Sequence, residues 1–338
     1  MRHFIKIFVI AIIAMFNFSC TKMVPSETID NEIYTVSLGW DGDLDVTYEP
    51  LTRSLDDNPD LYGIQVYSTK NHPHPKEDVI WEPYAYGLFD NSSAITINLL
   101  KGYKYKFVAT MVENGKNIIG YLDSRYCHPF FVNNTDKGQM KLENNFTYST
   151  LSAMSGINSG EARLKDGVKY SVPNTKRYYG VLESYEPTKH NATAKIKMKT
   201  VSFGAKFVVN GKLAEAGVLE VQIEGAPKSS GDITKQDNQL YNVYTFTDVE
   251  NAWLNAAHSQ TNSVTINWRT LDDTVIPLGT HEMKFKRNAT TVVKVNIDNN
   301  VLDSGLGIEI EDEGEMIDDE EVTIQDGEVV ETDIDLQK

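Results

Sequence analysis

Cysteine is scarce in this chain, whose 338 residues contain only Cys20 and Cys127. Small secreted domains that depend on disulfides contain several pairs, so a disulfide framework is excluded as the source of stability. Hydrophobic cores must supply the stability instead. We predict that Cys127, in the stretch "RYCHPFF", is a small buried hydrophobic residue and not a nucleophile.

Familiar catalytic motifs are also missing. The sequence has no G-x-S-x-G, H-E-x-x-H or C-x-x-C pattern and no glycine-rich phosphate loop. These patterns are typical of serine hydrolases, zinc proteases, thiol redox proteins and nucleotide-binding proteins. We therefore expect a protein without enzymatic activity or cofactor. A hydrolase would require carboxylates from distant loops to converge in one cleft.

Two short stretches contain metal-ligating residue types. In "NHPHPK", His72 and His74 lack a third and a fourth ligand nearby, so an exposed loop is expected. In "GWDGDLD", Asp41, Asp43 and Asp45 alternate as they do in calcium loops, but the required glycine and bidentate glutamate do not follow. A tight turn between strands is expected there, and no metal site is predicted.

A basic surface is absent, and the acidity of the chain is concentrated at its end. The net charge is −16, and residues 301–338 contain fifteen acidic residues and one Lys, a net charge of −14. The first 300 residues are therefore close to neutral, with a net charge of −2. Nucleic acid is not an expected partner, because binding to phosphates needs a basic surface. For the acidic tail we expect disorder, or weak strand pairing at "EVTI" and "GEVVETDI".

No hydrophobic run is long enough to cross a bilayer. The longest, "IFVIAIIAMF", has 10 residues, whereas a spanning helix needs about 20. Arg2 and Lys6 precede it and small or polar residues follow it, the layout of a secretory signal peptide. The following "NFSC" resembles a bacterial lipoprotein signal, which implies acylation of Cys20. Asn17 departs from the usual aliphatic residue, and a cleaved signal peptide with a chance cysteine is the alternative.

Strand patterns dominate the rest of the chain. The stretch "YKYKFVATM" places Tyr, Tyr, Phe, Ala and Met on one face and lysines on the other, as a half-buried strand does. Asn114-Gly115 predicts a two-residue hairpin turn, with "IIGYL" as the returning strand. One short helix is expected in "DVENAWLNAAH", capped by Asp248.

The spacing of these patterns predicts an all-β protein with two tandem β-sandwiches. We divide the chain into a signal peptide (1–19), a lipid-anchored linker (20–32), an N-terminal sandwich (33–163), a C-terminal sandwich (164–300) and an acidic tail (301–338). The boundary between the sandwiches falls in "MSGINSGEARLKDG", which is rich in glycine and serine and weakly periodic.

Aromatic residues allow a second functional hypothesis. Four Trp and 17 Tyr could form a sugar-stacking platform if several were exposed on one face. Trp268 alternates with Val264 and Ile266, which places it in a core. For each of the other Trp residues a core position is also the simpler expectation.

The order of features resembles that of fimbrillin-like proteins, the subunits and accessory proteins of short pili on Gram-negative anaerobes. The resemblance rests on the lipoprotein signal, on "YEPLTRSLDD" followed by "DLYGIQVYS", on "INLLKGYKYKFVATM", and on "RYYGVLESYEPTKHNATAKIKMKTVSFGAKFVV" followed by "VLEVQIEG". It covers roughly residues 20 to 300, and none of these motifs is catalytic or exclusive to the family.

The resemblance implies two transthyretin-like or immunoglobulin-like sandwiches behind a lipidated cysteine, here Cys20, in the outer membrane and exposed at the cell surface. In that family an arginine-specific protease removes the first strand of polymerising subunits, and a strand of the next subunit takes its place. The corresponding arginine here is Arg53, after Thr52, and an uncleaved surface loop is the alternative. The acidic tail departs from the family pattern, because it would repel its own copies.

The sequence thus predicts a non-enzymatic surface lipoprotein acting in cell adhesion or as a fimbrial anchor, tip or accessory subunit. Its expected partners are a membrane, reached through the lipid, and other fimbrial subunits or a surface ligand. The alternative is a glycan-binding outer-membrane lipoprotein that accompanies a nutrient-uptake system.

Overall fold

A computed structural model of the chain describes residues 32–42, 59–70, 79–93, 95–132, 139–210, 217–296 and 308–315. These residues form twenty strands and two short helices, which confirms the predicted all-β class. Within the described ranges, no helix is both long enough and apolar enough to cross a bilayer.

The first ten strands are β1 Ile33–Gly42, β2 Leu61–Lys70, β3 Glu82–Phe89, β4 Thr96–Leu100, β5 Tyr103–Val112, β6 Tyr121–Leu122, β7 Arg125–Tyr126, β8 Phe146–Tyr148, β9 Ala162–Arg163 and β10 Lys169–Tyr170. The other ten are β11 Arg177–Tyr185, β12 Thr193–Thr200, β13 Ser202–Asn210, β14 Gly217–Ile223, β15 Ser229–Ile233, β16 Gln239–Thr245, β17 Ser259–Thr270, β18 Val275–Lys286, β19 Ala289–Asn296 and β20 Ile308–Glu315. The helices are α1 Gly115–Ile118 and α2 Val249–Leu254.

The first half of the molecule is built on one eight-stranded sheet in the order β4-β1-β12-β11-β5-β2-β3-β8. Alternation of apolar and polar residues gives each strand one inward face; in β12, for example, Ala194, Ile196 and Met198 are buried while Lys195 and Lys197 are exposed. The sheet curls around a core of inward-facing residues. Members of that core include Val36, Ile64, Phe107, Tyr178 and Ile196.

Strands β11 and β12 lie in this first sheet, although the predicted division at 163/164 assigned them to the second sandwich. β11 pairs antiparallel with β5, and β12 pairs parallel with β1. The second half begins at β13, directly after Val201. Because a strand's periodicity identifies its buried face and not its partner, a boundary drawn from sequence could not detect this pairing.

The second half is a β-sandwich of two four-stranded sheets, β16-β13-β19-β20 and β15-β14-β17-β18. The sheets pack face to face, as the rings of Phe203 in β13 and Phe285 in β18 show, with centroids 4.5 Å apart. This core is continuous with the outer face of the first sheet, where Leu61, Val108 and Tyr179 belong to the same buried cluster.

Three local predictions can be compared with the structure. Asp248 caps α2, and its Oδ1 accepts the backbone N–H of Asn251 at 3.0 Å, as expected. The prediction of a hairpin turn at Asn114-Gly115 was wrong, because Gly115 begins α1. The stretch "IIGYL" does not pair with β5, since β2 and β11 pair with the two edges of that strand. Within the acidic tail, Ile308–Glu315 forms the edge strand β20 beside β19, and the other tail residues lie outside the described part of the chain.

Candidate functional site

The candidate site is the first strand, β1, and the position between β4 and β12 that it occupies in the eight-stranded sheet, which we call the seat of β1. β1 alternates along its length, so that Val36 and Leu38 point into the core with 0% and 6% of their surfaces exposed. Tyr34 and Trp40 are partly buried and pack against the same core. The strand is therefore held by its side chains as a core element.

Both edges of β1 are hydrogen-bonded to other strands. Residues 33–37 lie antiparallel to β4, and residues 37–42 lie parallel to residues 193–198 of β12. The backbone N–H of Ser37 donates to Ala192 O at 2.8 Å, and the N–H of Leu38 donates to Ile95 O at 2.9 Å. β1 is thus an internal strand of the sheet, although it is the first described strand in the chain.

The start of β1 is marked by a charged contact. The Glu32 carboxylate lies 3.0 Å from Lys101 Nζ and 3.5 Å from Lys189 Nζ. The hydrogen bond from Lys101 lowers the pKa of Glu32. The neighbouring Tyr34 hydroxyl has a raised pKa because of desolvation and its hydrogen bond to Glu32. An anionic residue held by two lysines therefore lies directly before the strand.

The end of β1 is sterically defined. Trp40 Nε1 donates to Ser92 O at 3.2 Å, and its ring lies 5.6 Å from that of Tyr62. Gly42 has φ +92°, and a Cβ placed on it would lie 2.2 Å from Met198 O. Glycine is needed here, because both the positive φ and the close approach of backbone exclude a side chain.

Removal of β1 would open a groove between β4 and β12. Each of these strands would then expose backbone groups along one edge, and the core would lose the side chains of Val36 and Leu38. Such a groove can accept another extended segment by β-augmentation, in which main-chain hydrogen bonds give affinity and side-chain pockets give specificity.

The other edge of β4 meets the far end of the same sheet through tyrosines. The backbone N–H of Asn98 in β4 donates to the Tyr148 hydroxyl in β8 at 3.0 Å, and the Tyr84 hydroxyl in β3 donates to Asn98 O at 2.8 Å. Burial raises the pKa of Tyr84 to about 12, so its hydroxyl stays protonated. The sheet is therefore closed by side chains, a feature that strand periodicity could not predict.

Most of the residues singled out in the sequence lie outside the described residues: Cys20, Arg53, His72, His74, Asp43 and Asp45. Asp41 is described, and its Oδ1 accepts the N–H of Gly42 at 2.9 Å, a local bond at the end of β1. No cluster of three or more His, Cys, Asp or Glu residues suited to a metal occurs in the part of the chain that the structure describes.

The buried positions predicted for Cys127 and Trp268 are confirmed. Cys127 is 4% exposed, and burial raises the pKa of its thiol. Trp268 is 5% exposed. At the surface, the rings of Tyr84 and Tyr148 meet at 88° and not face to face. A flat pair of exposed rings, which sugar stacking would use, is not formed there.

One buried residue with a clear structural role escaped prediction. Arg177 is 1% exposed and joins β5 to the loop before β9: Nε donates to Thr110 Oγ1 at 2.7 Å, and Nη2 donates to Ile157 O at 2.8 Å. Burial lowers the pKa of its guanidinium to about 9, so it remains a cation at neutral pH. The only sequence signal is its place directly before the stretch "YYGVL" of β11, which has no charged residue.

Comparison with known proteins gives structural neighbours only. No protein-family model matches the chain, and no curated protein shows significant similarity to it. The fimbrial tip protein Mfa3 from Porphyromonas gingivalis, with a C-terminal truncation, is 9% identical, with 83% of this chain and 97% of that chain covered and a TM-score of 0.30. A candidate cell adhesion protein from Bacteroides eggerthii is 13% identical, with coverages of 83% and 96% and a TM-score of 0.36.

A third neighbour is a candidate polysaccharide-binding protein from Bacteroides thetaiotaomicron. It is 8% identical, with 79% of this chain and 92% of that chain covered and a TM-score of 0.36. Identities and scores this low do not assign a function to this chain.

Proposed function

We propose that this protein is a non-enzymatic surface lipoprotein, held in the outer membrane by acyl chains on Cys20, that acts in adhesion or as a fimbrial anchor, tip or accessory subunit. The observation that carries the proposal is the seat of β1. β1 pairs with another strand on each side and is therefore internal to the sheet. In the chain, however, it comes before all the other described strands.

The proposed partner interaction is strand exchange at this seat. Arg53 lies between β1 and β2 in the sequence, so one cut after Arg53 would separate β1 covalently from the rest of the fold. A strand from another subunit would then fill the groove between β4 and β12 through the same backbone groups. Its apolar side chains would replace Val36 and Leu38 in the core.

The proposed anchor follows from the N-terminal pattern. Several acyl chains on Cys20 would give stable attachment, because two lipid signals already suffice. An anchored chain with β1 in place would act as a terminal or accessory subunit, whereas a chain cut at Arg53 would leave its lipid behind and join a polymer. The acidic tail favours the anchored form, because copies that each carry −14 in this segment repel one another.

The experiment is mass analysis of the mature N-terminus of protein taken from cells. An acylated Cys20 supports the anchored form, and a chain that begins at Ser54 supports strand release. Cys20→Ala should move the protein out of the membrane fraction and abolish labelling by a palmitate analogue, while Cys127→Ala, a control at a buried thiol, should leave labelling unchanged. Labelling that survives Cys20→Ala would contradict the anchor.

Strand exchange is tested by cutting at Arg53 with an added arginine-specific protease. Arg53→Lys is the matched control, because it keeps the charge and removes the site. A labelled peptide of residues 31–44 should bind the cut protein and not the control, and a peptide with Asp at positions 36 and 38 should not bind either. Equal binding to cut and uncut protein would contradict the proposed groove.

A further inference from the structure

Several strands of the first sheet begin or end at the edge where β1 starts. Ile33, the first residue of β1, lies opposite Leu100, the last residue of β4. Tyr103 at the start of β5 lies opposite Lys70 at the end of β2. We call this end of the sheet the entry rim and define it by residues 32–34, 68–70, 79–84, 100–104, 148–151 and 186–190.

The beginning of β3 and the end of β8 complete the entry rim. Glu82, the first residue of β3, lies opposite Ser68 of β2. Ser149 follows β8 and donates its N–H to Tyr84 O at 2.9 Å, which places residues 149–151 beside the start of β3. Because the hydroxyls of Tyr84 and Tyr148 also bond to β4, the two ends of the curled sheet meet at this rim.

The entry rim carries exposed aliphatic side chains. Four of them are at least half exposed: Ile33 at 59%, Val79 at 62%, Ile80 at 74% and Leu151 at 83%. Single exposed apolar residues are ordinary on a soluble protein, whereas several at one end of a fold mark an interaction surface. The rim therefore has the composition of a contact surface.

Aromatic side chains accompany these aliphatic residues. Tyr34, Trp81 and Tyr103 are partly buried on the rim, and Tyr148 is 49% exposed. Trp and Tyr are enriched at membrane–water interfaces, because the ring is apolar while the N–H or hydroxyl group stays in water. Aliphatic residues next to Tyr and Trp are thus suited to the boundary between lipid headgroups and acyl chains.

The formal charge of the entry rim is small. It contains four Lys and three Glu, a net charge of +1, and these residues are Lys70, Lys101, Lys104, Lys189, Glu32, Glu82 and Glu186. Glu32 is bonded to Lys101 and Lys189. A surface with balanced charges does not select a strongly charged partner, so the apolar and aromatic side chains must supply the contact.

The position of the rim in the chain indicates what covers it. Glu32 is 12 residues after Cys20 (32 − 20), and an extended chain of that length spans at most about 40 Å. Gly42, at the other end of β1, lies about 30 Å further along the strand. A lipid on Cys20 therefore keeps the rim close to the bilayer, and this tether raises the effective concentration of the membrane surface at the rim.

We propose that the entry rim of the anchored protein rests on the bilayer that holds Cys20, with Ile33, Ile80 and Leu151 at the level of the lipid headgroups. This inference rests on the acyl anchor of the proposed function and adds the face of the fold that meets the lipid. In this orientation β1 enters the sheet from the membrane side. The opposite end of the sheet, with Leu61 at the start of β2 and Phe89 at the end of β3, points away from the bilayer.

The test uses the mature acylated protein in vesicles of phosphatidylethanolamine and phosphatidylglycerol that contain a nitroxide-labelled phospholipid. An environment-sensitive fluorophore is attached at Ile80→Cys or, as the matched control, at Leu254→Cys. Leu254 is 65% exposed and lies on α2, away from the rim, and the buried Cys127 does not compete for the label. We expect the nitroxide lipid to quench the fluorophore at position 80 about twofold or more compared with position 254.

A second comparison changes the rim and keeps the reporter. With the fluorophore at Ile33→Cys, the double variant I80D/L151D should reduce quenching to the level seen at position 254. The control L271D/V275D, at exposed apolar residues of the second sandwich, should leave quenching unchanged. Thermal unfolding of both double variants checks that the fold is kept, and the comparison of positions 80 and 254 needs neither of them.

The outcomes separate this inference from the proposed anchor. Equal quenching at positions 80 and 254 in protein that floats with the vesicles would overturn the contact at the rim and leave the anchor in place. Protein that stays in solution with an unmodified Cys20 would contradict the anchor, and the inference with it. A fluorophore at position 80 that is shielded from water but not quenched by lipid, with energy transfer between differently labelled molecules, would replace the membrane with a second copy of the chain.

Discussion

The backbone N–H of Asn98 donates a hydrogen bond to the hydroxyl of Tyr148 at 3.0 Å, and this contact joins β4 to β8, the two ends of the eight-stranded sheet. Tyr148→Phe removes the acceptor and keeps the ring. Because Tyr148 is 49% exposed, water can replace the lost partner, and we expect a loss near the lower end of the usual range, about 0.5 kcal/mol. Urea unfolding measures the change, with Tyr121→Phe as the exposed control. Equal midpoints for the two variants would show that the contact contributes nothing to closure.

Substitution of Arg177 should reduce stability far more than Tyr148→Phe, because the Arg177 guanidinium is buried and bonded to several neutral acceptors. In Arg177→Met the carbonyls of Ile157 and Ser159 and the hydroxyl of Thr110 lose their donor. Each unsatisfied buried group costs about 1–3 kcal/mol, so we expect a total loss of roughly 3 kcal/mol. Arg163→Met, at an exposed arginine, should change stability by less than about 0.5 kcal/mol. Denaturant titration measures the free energy of unfolding of both variants. A small loss for Arg177→Met would mean that water replaces the guanidinium.

Gly42→Ala tests the seat of β1 by sterics. The new Cβ would meet Met198 O at 2.2 Å, and the residue has φ +92°. Gly102→Ala is a matched control, since Gly102 has φ +81° and nothing within 4 Å of the built Cβ. Both variants bear the cost of a positive φ, about 1 kcal/mol, and only Gly42→Ala should lose about 2 kcal/mol more from the clash.

Hydrogen exchange shows which part of the fold each glycine substitution affects. Gly42→Ala should speed exchange of the β1 amides relative to those of the second sandwich. Gly102→Ala should leave that relative rate unchanged. If both variants change exchange in β1 equally, the contact with Met198 is not what ends the strand.

The acid dependence of stability should include a contribution from Glu220. This carboxylate is 5% exposed and bonded to Lys228 Nζ at 2.7 Å and to Arg269. The hydrogen bond from Lys228, followed by that from Arg269, lowers its pKa below the usual 4.5, although burial opposes the change. A folded pKa below the unfolded pKa means that the stabilisation is present above about pH 4.5 and is lost as the pH falls through the folded value.

Glu220→Gln should therefore destabilise the protein at pH 7 and approach the unchanged protein in stability below pH 4. Thermal unfolding between pH 3 and pH 7 measures this convergence. Glu224→Gln, at an exposed carboxylate in the same sheet region, is the control and should follow the unchanged protein throughout. If the difference in unfolding temperature between Glu220→Gln and the unchanged protein stays constant from pH 3 to pH 7, the ionised carboxylate is not the cause of that difference.

Local sequence patterns predicted part of the local structure. The cap at Asp248 and the burial of Cys127 and Trp268 agree with the predictions made from the sequence. Each of these features depends on a period of two or on residues a few positions apart, so it is determined by residues that are close together in the sequence. Cys20 and Arg53 remain predictions, because both lie outside the described residues.

Asn114 shows where local signals fail. Its φ of +54° agrees with the left-handed preference of a turn asparagine, but the chain continues into α1 and does not return as a hairpin. β2 and β11, which lie before and after β5 in the chain, already pair with its two edges. The turn signal was therefore present, and competition between distant strands determined what followed it.

By itself, the sequence determined that this is an all-β protein with a nearly neutral body and an acidic end, because composition, charge and period-two patterns are properties of the chain. The N-terminal export signal stays a prediction. Only the tertiary structure decided that β1 pairs with β12, more than 150 residues later, that β4 and β8 meet through Tyr148, and that Ile308–Glu315 pairs with β19. Backbone hydrogen bonds are the same for every strand, so partners are chosen by the packing of the whole core.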